Sequence, residues 1–213
     1  MGMDSIKTTA IPTNESRFGN TCVKFEGSQF IALPPEIKIS GPMSYNIWAY
    51  MNDWSQYVSG AMRMLSCTET GGFNIEYTSA GKIVFAAYDS GTGYKNMNLT
   101  EDWASLSSGW HMFTMTFDGT YAKAYIDGTL RKTSAAFTSG KIGYHASNSL
   151  FLGAEAASSA VTPGSNYFKG KLDSFKMWAS TLSDTEVSLL YSKVASIDNN
   201  GKLHSKHLTE KAL

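Results

Sequence analysis

The sequence predicts an all-β protein: a two-sheet antiparallel jelly-roll sandwich with one short C-terminal helix. Three observations predict it. Apolar residues alternate with a period of two through most of the chain, the pattern of strands with one buried face. Asp-Gly pairs, among 19 glycines in 213 residues, punctuate those runs at turn positions. Only one segment combines a helix start signal with the spacing of an amphipathic helix.

The clearest unit runs from Trp110 to Gly128, W-H-M-F-T-M-T-F-D-G-T-Y-A-K-A-Y-I-D-G. His111, Phe113, Met115 and Phe117 share one face of the first run, and Ala122, Ala124 and Ile126 share one face of the second. Asp118-Gly119 joins the runs and Asp127-Gly128 closes the unit, so it reads as a β-hairpin. Phe113, Met115, Phe117, Ile126 and Phe175 are expected inside. Trp48, Trp110 and Trp178, within or at the start of strands, are expected in the core too. His111 alternates with core residues and reads as a satisfied structural histidine.

Further strands are predicted at Thr21–Phe25, Gln29–Leu33, Met43–Met51, Ala61–Cys67, Phe73–Thr78, Lys82–Tyr88, Leu150–Ala154 and Lys171–Trp178. Ser183-Asp184-Thr185-Glu186 is a capping box, in which each end residue satisfies a backbone N–H of the other. Val187, Leu190 and Tyr191 then share a helical face that should close the domain on a sheet edge or end. The expected organisation is an N-terminal extension or first strand over 1–20, the sandwich over 21–195, and a polar appendage or connector over 196–213.

Composition narrows the function. Hydrophobic residues make up 42% and aromatics 13%, which supports a packed core rather than disorder. Lys+Arg and Asp+Glu balance at 18 each with no basic stripe, so nucleic acid is not an expected partner. No apolar run is long enough to span a bilayer, so membrane insertion is not expected. Met1 to Phe18 is polar and lacks the apolar region of a signal peptide, which predicts a cytoplasmically made protein or a fragment of a longer chain. Cys22 and Cys67 are far apart and lack metal spacing. They read as two buried free thiols, with a single disulfide as the alternative. The sequons at Asn14 and Asn98 read as chance matches without a signal peptide.

Several pieces occur together and in order: C-V-K-F-E-G-S-Q-F-I-A-L-P (22–34), Y-N-I-W-A-Y-M (45–51), M-L-S-C-T-E-T-G-G-F-N-I-E (64–76), L-S-S-G-W-H-M-F-T-M-T-F-D-G (106–119), A-Y-I-D-G (124–128), L-F-L-G (150–153) and F-K-G-K-L-D-S-F-K-M-W-A-S-T-L-S-D-T-E-V (168–187). Over about residues 20–192 they resemble the concanavalin A-like lectin/glucanase superfamily, in particular its laminin-G-like, pentraxin-like branch. The resemblance implies a jelly roll and a module that binds sugars, proteins or lipids. The terminal I-D-N-N-G-K-L-H-S-K-H-L-T-E (197–210) is similar to connectors in bacteriophage tail and baseplate proteins. It implies a place on a virion tail or an extracellular surface, with other tail or appendage subunits as partners.

The resemblance also directs attention to particular residues. Glycosidases of this fold use an E-x-D-x-E type run, and none exists here, so an enzyme is not expected. Relatives bind calcium through an acidic residue on a late strand, in a G-x-[IL]-D pattern, together with backbone carbonyls near the N-terminus; the match here is Gly170-Lys171-Leu172-Asp173. A structural calcium at Asp173 would pin the first strand to the last; the alternative is that Asp173 accepts backbone N–H bonds and caps a turn. A sugar site needs exposed aromatics beside polar groups. Trp54 lies in the polar N-D-W-S-Q-Y with Tyr57, and Tyr88-Asp89 is followed by S-G-T-G-Y, which adds Tyr94. Trp103, Tyr144-His145 and Tyr167 lie in further loops. The expected ligand set is Trp54, Tyr88, Asp89 and Tyr94, and the expected partner is a cell-surface glycan or polysaccharide. A structural assembly module without a sugar site, and a glycoside hydrolase of the same fold, are the alternatives.

Overall fold

The computed structural model describes residues 7–8, 11–17, 21–34, 37–52, 61–68, 71–78, 80–102, 105–146, 149–156 and 162–195. The elements are β1 (Lys7–Thr8), β2 (Ile11–Thr13), β3 (Cys22–Glu26), β4 (Ile31–Ala32), β5 (Met43–Met51), β6 (Met62–Ser66), β7 (Phe73–Tyr77), β8 (Lys82–Asp89), β9 (Gly93–Asp102), β10 (Gly109–Phe117), β11 (Ala122–Ile126), β12 (Thr129–Thr133), β13 (Phe151–Leu152), β14 (Lys169–Trp178) and α1 (Asp184–Ala195). They form two antiparallel seven-stranded sheets. Sheet I has the order β1-β4-β13-β6-β7-β8-β9, and sheet II the order β12-β11-β10-β5-β14-β3-β2. This is the two-sheet jelly-roll sandwich that the alternation predicts, and two short strands within residues 1–20 add one edge to each sheet.

The core lies between the sheets. Sheet I contributes Leu65, Ile75, Phe85 and Met97; sheet II contributes Ile47, Phe113, Met115, Phe117 and Ile126. Tyr45 stacks on Phe73 across the gap, with ring centroids 4.6 Å apart. Phe175 is only partly buried, because it follows a bulge in β14: the register with β5 slips between Asp173 and Lys176, and Ser174 takes a φ of 50°. Cys22 and Cys67 are buried free thiols on different sheets, and burial pushes the Cys67 thiol up to about 12.

The hairpin β10–β11 closes through Asp118, whose side chain accepts from the N–H groups of Thr120 and Tyr121. β11 and β12 join through Asp127-Gly128, both at positive φ, the two-residue turn that suits the strand twist. Two strands have no counterpart in the sequence reading, β9 and β12. Both are sheet edges. β12, T-L-R-K-T, is exposed along its length, so no alternation marks it.

The helix forms as its capping box predicts. Glu186 N–H donates to Ser183 Oγ at 3.2 Å, and Ser183 N–H donates to Glu186 Oε2 at 2.8 Å. Its placement differs from expectation. It lies on the outward face of sheet II rather than at an edge or end, with Val187 and Leu190 against Trp48, Met112 and Tyr125. The three tryptophans also belong here rather than between the sheets: Trp48 is buried, and Trp110 and Trp178 are half-buried. Trp48 stacks on Tyr191 at 5.8 Å and carries the Arg17 guanidinium 4.9 Å from its ring centroid. The cause is parity: Trp48 follows inward-facing Ile47, so it must face out, and the helix and the Arg17 segment cover it.

His111 is buried between two acceptors. Nδ1 lies 2.6 Å from Asp127 Oδ2 and Nε2 lies 2.9 Å from the Ser107 carbonyl, so both nitrogens carry protons. Burial by itself would lower the imidazole pKa; the Asp127 hydrogen bond, the Ser107 carbonyl and the Asp127 charge together outweigh it and hold the pKa above its ordinary value. The sign follows. A raised folded-state pKa contributes stability that is complete below the unfolded value, near ~6.5, and is lost as pH rises through the folded value. Wild type should therefore melt above His111→Asn at pH 6, with the gap closing as the pH is raised. Thermal melts across that range check this, and a gap independent of pH contradicts a charged His111.

Candidate functional site

Helix α1 and residues 15–17 lie on the outward face of sheet II; the outward face of sheet I carries the tyrosines that the sequence singled out. The register sets out its side chains. Ser66, Asn74, Ala86 and Asn96 make one cross-strand row, Arg63, Glu76, Val84 and Asn98 the next, and Tyr88 pairs with Tyr94 beyond them. Asn96, Asn98 and Tyr94, on edge strand β9, are exposed, whereas Asn74, Val84 and Ala86 on the inner strands are nearly inaccessible. The Asn74 Oδ1 is buried without a hydrogen-bond partner.

Tyr94 and Tyr88 were expected to belong to a loop and a strand end. In the structure both are strand residues flanking the turn of the β8–β9 hairpin, with ring centroids 4.9 Å apart and edge to face. Tyr94 is 40% exposed, yet its hydroxyl donates to the Gly71 carbonyl at 3.1 Å and accepts from the Gly71 N–H at 3.0 Å. One end of the ring is therefore fixed while its side faces solvent. The Tyr88 backbone is held from both sides, donating to Gly72 O and accepting from Gly143 N. Gly72 has a φ of 72° and any Cβ there would overlap Cys67, so glycine is required.

Asp89 does not present its carboxylate to a ligand. It is completely buried and accepts six hydrogen bonds: from Gly91 N, Thr92 Oγ1, Thr138 N and Oγ1, and Ser139 N and Oγ. Burial opposes its ionisation, but the Ser139 hydroxyl, Thr138 N–H, Thr92 hydroxyl and Gly91 N–H outweigh it and hold the carboxyl well below the usual carboxylate range. Asp89 is thus a positioning residue for the hairpin that carries Tyr88 and Tyr94. Trp54, Tyr57 and Trp103 lie outside the described residues. Tyr144 is structural, its hydroxyl donating to Ile39 O at 2.7 Å, and Tyr167 packs on the cluster of Phe30 and Phe151.

The sequence reading missed a charged cluster on this face. Arg63 Nη2 contacts Glu76 Oε2 at 2.7 Å and Glu155 Oε1 at 2.9 Å, while Nη1 donates to Thr68 Oγ1. The Glu76 contact is an ion pair out of line for a hydrogen bond. Burial raises the Glu76 carboxyl above its ordinary value; the Arg63 charge opposes this and the Glu155 charge adds to it. Ser165 Oγ and Asn166 Nδ2 donate to the other Glu155 oxygen, tying residues 165–166 to Glu155 beside β6. Glu76 and Glu155 are thus bridged by one guanidinium nitrogen, whereas a glycosidase needs its two carboxylates free to flank the scissile bond. Here the guanidinium occupies the space between them, where a scissile oxygen would have to sit. Glu76 and Glu155 come from different segments, so no short motif could reveal the pair.

Asp173 sits on β14 on the other sheet. Its Oδ2 accepts from Ser16 Oγ at 2.9 Å and Arg17 N at 3.0 Å, and its Oδ1 from Ser174 Oγ at 3.1 Å. Glu15 pairs with Lys171 beside it at 2.8 Å. Among the described residues no group of three or more His, Cys, Asp or Glu side chains gathers here. In this structure hydrogen bonds from Ser16 and Arg17 tie the N-terminal segment to the last strand. A cleft of about 320 Å³ opens beside Asp173, lined mainly by Val23, Ile31, Ile47, Leu152, Leu172 and Phe175. It shares no residue with the Tyr94 face and offers few polar groups to orient a ligand.

The account of Asp173 predicts that Asp173→Ala lowers stability by about 1–3 kcal/mol in chelator, from the loss of hydrogen bonds to a part-buried acceptor. Millimolar calcium should leave the wild-type Tm unchanged. A calcium-dependent rise in Tm that disappears in Asp173→Ala would reinstate the ion.

Comparison with known proteins agrees with the two-sheet fold. A laminin-G-type family model, described as "Concanavalin A-like lectin/glucanases superfamily", matches residues 25–188. Curated proteins give no match by sequence. Among solved structures, the receptor binding domain of botulinum neurotoxin C/D mosaic serotype superposes with a TM-score of 0.64 at 13% identity, over 88% of this chain and 46% of that one. The botulinum neurotoxin serotype G binding domain gives 0.64 at 17% identity, over 90% and 47%. The binding domain of botulinum neurotoxin DC, in complex with rat synaptotagmin II, gives 0.65 at 15% identity, over 89% and 46%. The chain spans a little under half the length of these domains, and at such identities the likeness is one of fold. By the match over residues 25–188 and the two-sheet architecture, the chain belongs to the concanavalin A-like lectin/glucanase superfamily, in its laminin-G-like form.

Proposed function

We propose that this domain is a non-catalytic binding module that recognises a cell-surface glycan or polysaccharide through the outward face of sheet I. The observation that carries the reading is Tyr94: a 40% exposed ring anchored through its hydroxyl, beside the exposed amides of Asn96 and Asn98. An anchored aromatic loses little conformational freedom when a ligand stacks on it, and the amides supply donors and acceptors for hydroxyls. The family description and the receptor-binding domains of similar fold support a binding role. The absence of an E-x-D-x-E run, and the guanidinium wedged between Glu76 and Glu155, support a non-enzymatic one.

The setting we propose is a host-facing surface such as a phage tail or an extracellular appendage, beside other subunits of that appendage. The terminal segment 197–210 supports this by its resemblance to tail connectors. Several copies on one particle would raise a weak single-site affinity. Trp54 stays in the proposed ligand set on its polar sequence context; Asp89 leaves it. A glycan array of the wild-type chain, followed by titration of the best ligand, tests the proposal. A stacked aromatic contributes about 0.5–1.5 kcal/mol if aromatic-pair magnitudes carry over to sugars. Tyr94→Ala should then weaken binding severalfold when measured well below its Tm, which itself falls with the loss of the Gly71 hydrogen bonds. Binding unaffected by Tyr94→Ala would place the site elsewhere, and a blank array together with a blank host-cell assay would favour the assembly module.

A further inference from the structure

The outward face of sheet II holds a group of side chains that the Tyr94 reading leaves unused. Independently of that reading, we infer that the row Trp110, Tyr50, Lys171 and Lys24 is a second binding site, which takes an acidic saccharide: the sugar ring against the two aromatics, its carboxylate or sulfate against the lysines. The register makes the row. Trp110 of β10 pairs with Tyr50 of β5, Tyr50 with Lys171 of β14, and Lys171 with Lys24 of β3. Paired residues share a face, and this face is the outward one, because the adjacent Ala49 and Leu172 point into the core. Helix α1 covers the neighbouring row at Trp48 and Met112 and reaches Trp110 only in part. All four residues of the row stay partly exposed.

The two rings are held in place before any ligand arrives. Their centroids are 5.4 Å apart, and Lys171 Nζ stands 4.4 Å from the Tyr50 centroid. A ligand that stacks on them orders little that is not ordered already. Among the described residues neither the Tyr50 hydroxyl nor the Trp110 indole N–H has a hydrogen-bond partner, and neither is buried. Both are free to donate. The charges beside the rings favour an anion. Lys171 pairs with Glu15 at 2.8 Å and Lys24 with Glu26 at 2.8 Å, in both cases with a well-exposed carboxylate. Lys169, on the same side of β14, is exposed and makes no ion pair among the described residues. Three lysines therefore meet two glutamates. One row further in, the Asp173 carboxylate and the Arg17 guanidinium offset each other. Exposed ion pairs hold weakly, and an ammonium has three donors, so an incoming anion can share Lys171 and Lys24 with their glutamates. A pyranose offers an apolar face for the rings and hydroxyls for the free O–H and N–H; an acidic one adds the anion. A simple anion or a neutral sugar answers only part of this set.

The test titrates the full chain with a chondroitin sulfate hexasaccharide at low salt, beside neutral cellohexaose and a hexaglutamate peptide. Amide shifts locate the binding, and melts confirm that each variant is folded at the temperature used. The inference predicts shifts clustered at residues 24, 50, 110 and 169–171. Lys171→Met, which keeps the apolar stem, should weaken the acidic sugar roughly tenfold, as for the loss of a charge-assisted hydrogen bond. Tyr50→Leu should weaken it severalfold, and Tyr94→Ala should leave it unchanged. Binding lost in Tyr94→Ala and kept in Lys171→Met overturns the second site and puts the acidic sugar on sheet I. Hexaglutamate bound at the row as tightly overturns the saccharide, and cellohexaose bound there as tightly overturns the role of the lysines. A blank with the acidic hexasaccharide overturns the second site and leaves the Tyr94 face to be judged by its own variant.

Discussion

The geometry of the candidate face depends on one buried carboxylate. Asp89 ends β8 with no exposed surface, where an ion is expensive unless it is fully hydrogen-bonded. Six donors from the turn after it and from Thr138 and Ser139 supply that compensation. The contacts to residues 138 and 139 cross about fifty positions of sequence, so the carboxylate ties the β8–β9 hairpin to the segment following β12. Tyr88 and Tyr94 flank that turn, and their edge-to-face contact and the Gly71 anchor follow from its being held in one shape.

The same device recurs at other charged groups among the described residues. Asp127 holds His111 and the Met112 N–H; Asp173 holds Ser16 and Arg17; Arg63 holds Glu76 and Glu155. Two of these ties, Asp173 to Ser16 and Arg63 to Glu155, join segments about 90 or more positions apart, and the others brace neighbouring strands. The sandwich supplies the bulk of the burial, and these polar ties fix where its loops and termini lie. Among the described residues, α1 and the Arg17 segment cover the outward face of sheet II around Trp48, whereas the outward face of sheet I bears polar rows and an anchored tyrosine.

Much of this architecture was legible in the sequence. Alternation located the strands of β5, β7, β8, β10 and β11, because each has one face against the core. The capping box at Ser183 located the helix. The edge strand β12 was not legible, since an exposed strand has no alternation to read, and in β9 the buried Met97 and Leu99 are too few among polar neighbours. Trp48 was expected in the core; its parity with inward-facing Ile47 turns it outward instead, and the docked helix is what buries it. The candidate site was legible in its aromatics and illegible in its polar floor. Tyr88 and Tyr94 are near neighbours in sequence, whereas Arg63 and Glu155 meet from 92 positions apart, and Asp89 looks like a ligand residue until its donors are seen.

The central claim is that ligand binds the outward face of sheet I beside β9, rather than the apolar cleft near Asp173. Mapping the backbone amide chemical shifts during titration with a neutral oligosaccharide tests it most directly. The account predicts perturbations clustered at residues 74–76, 84–88 and 94–98. Perturbations clustered instead at residues 22–23, 152 and 172–175 would contradict it.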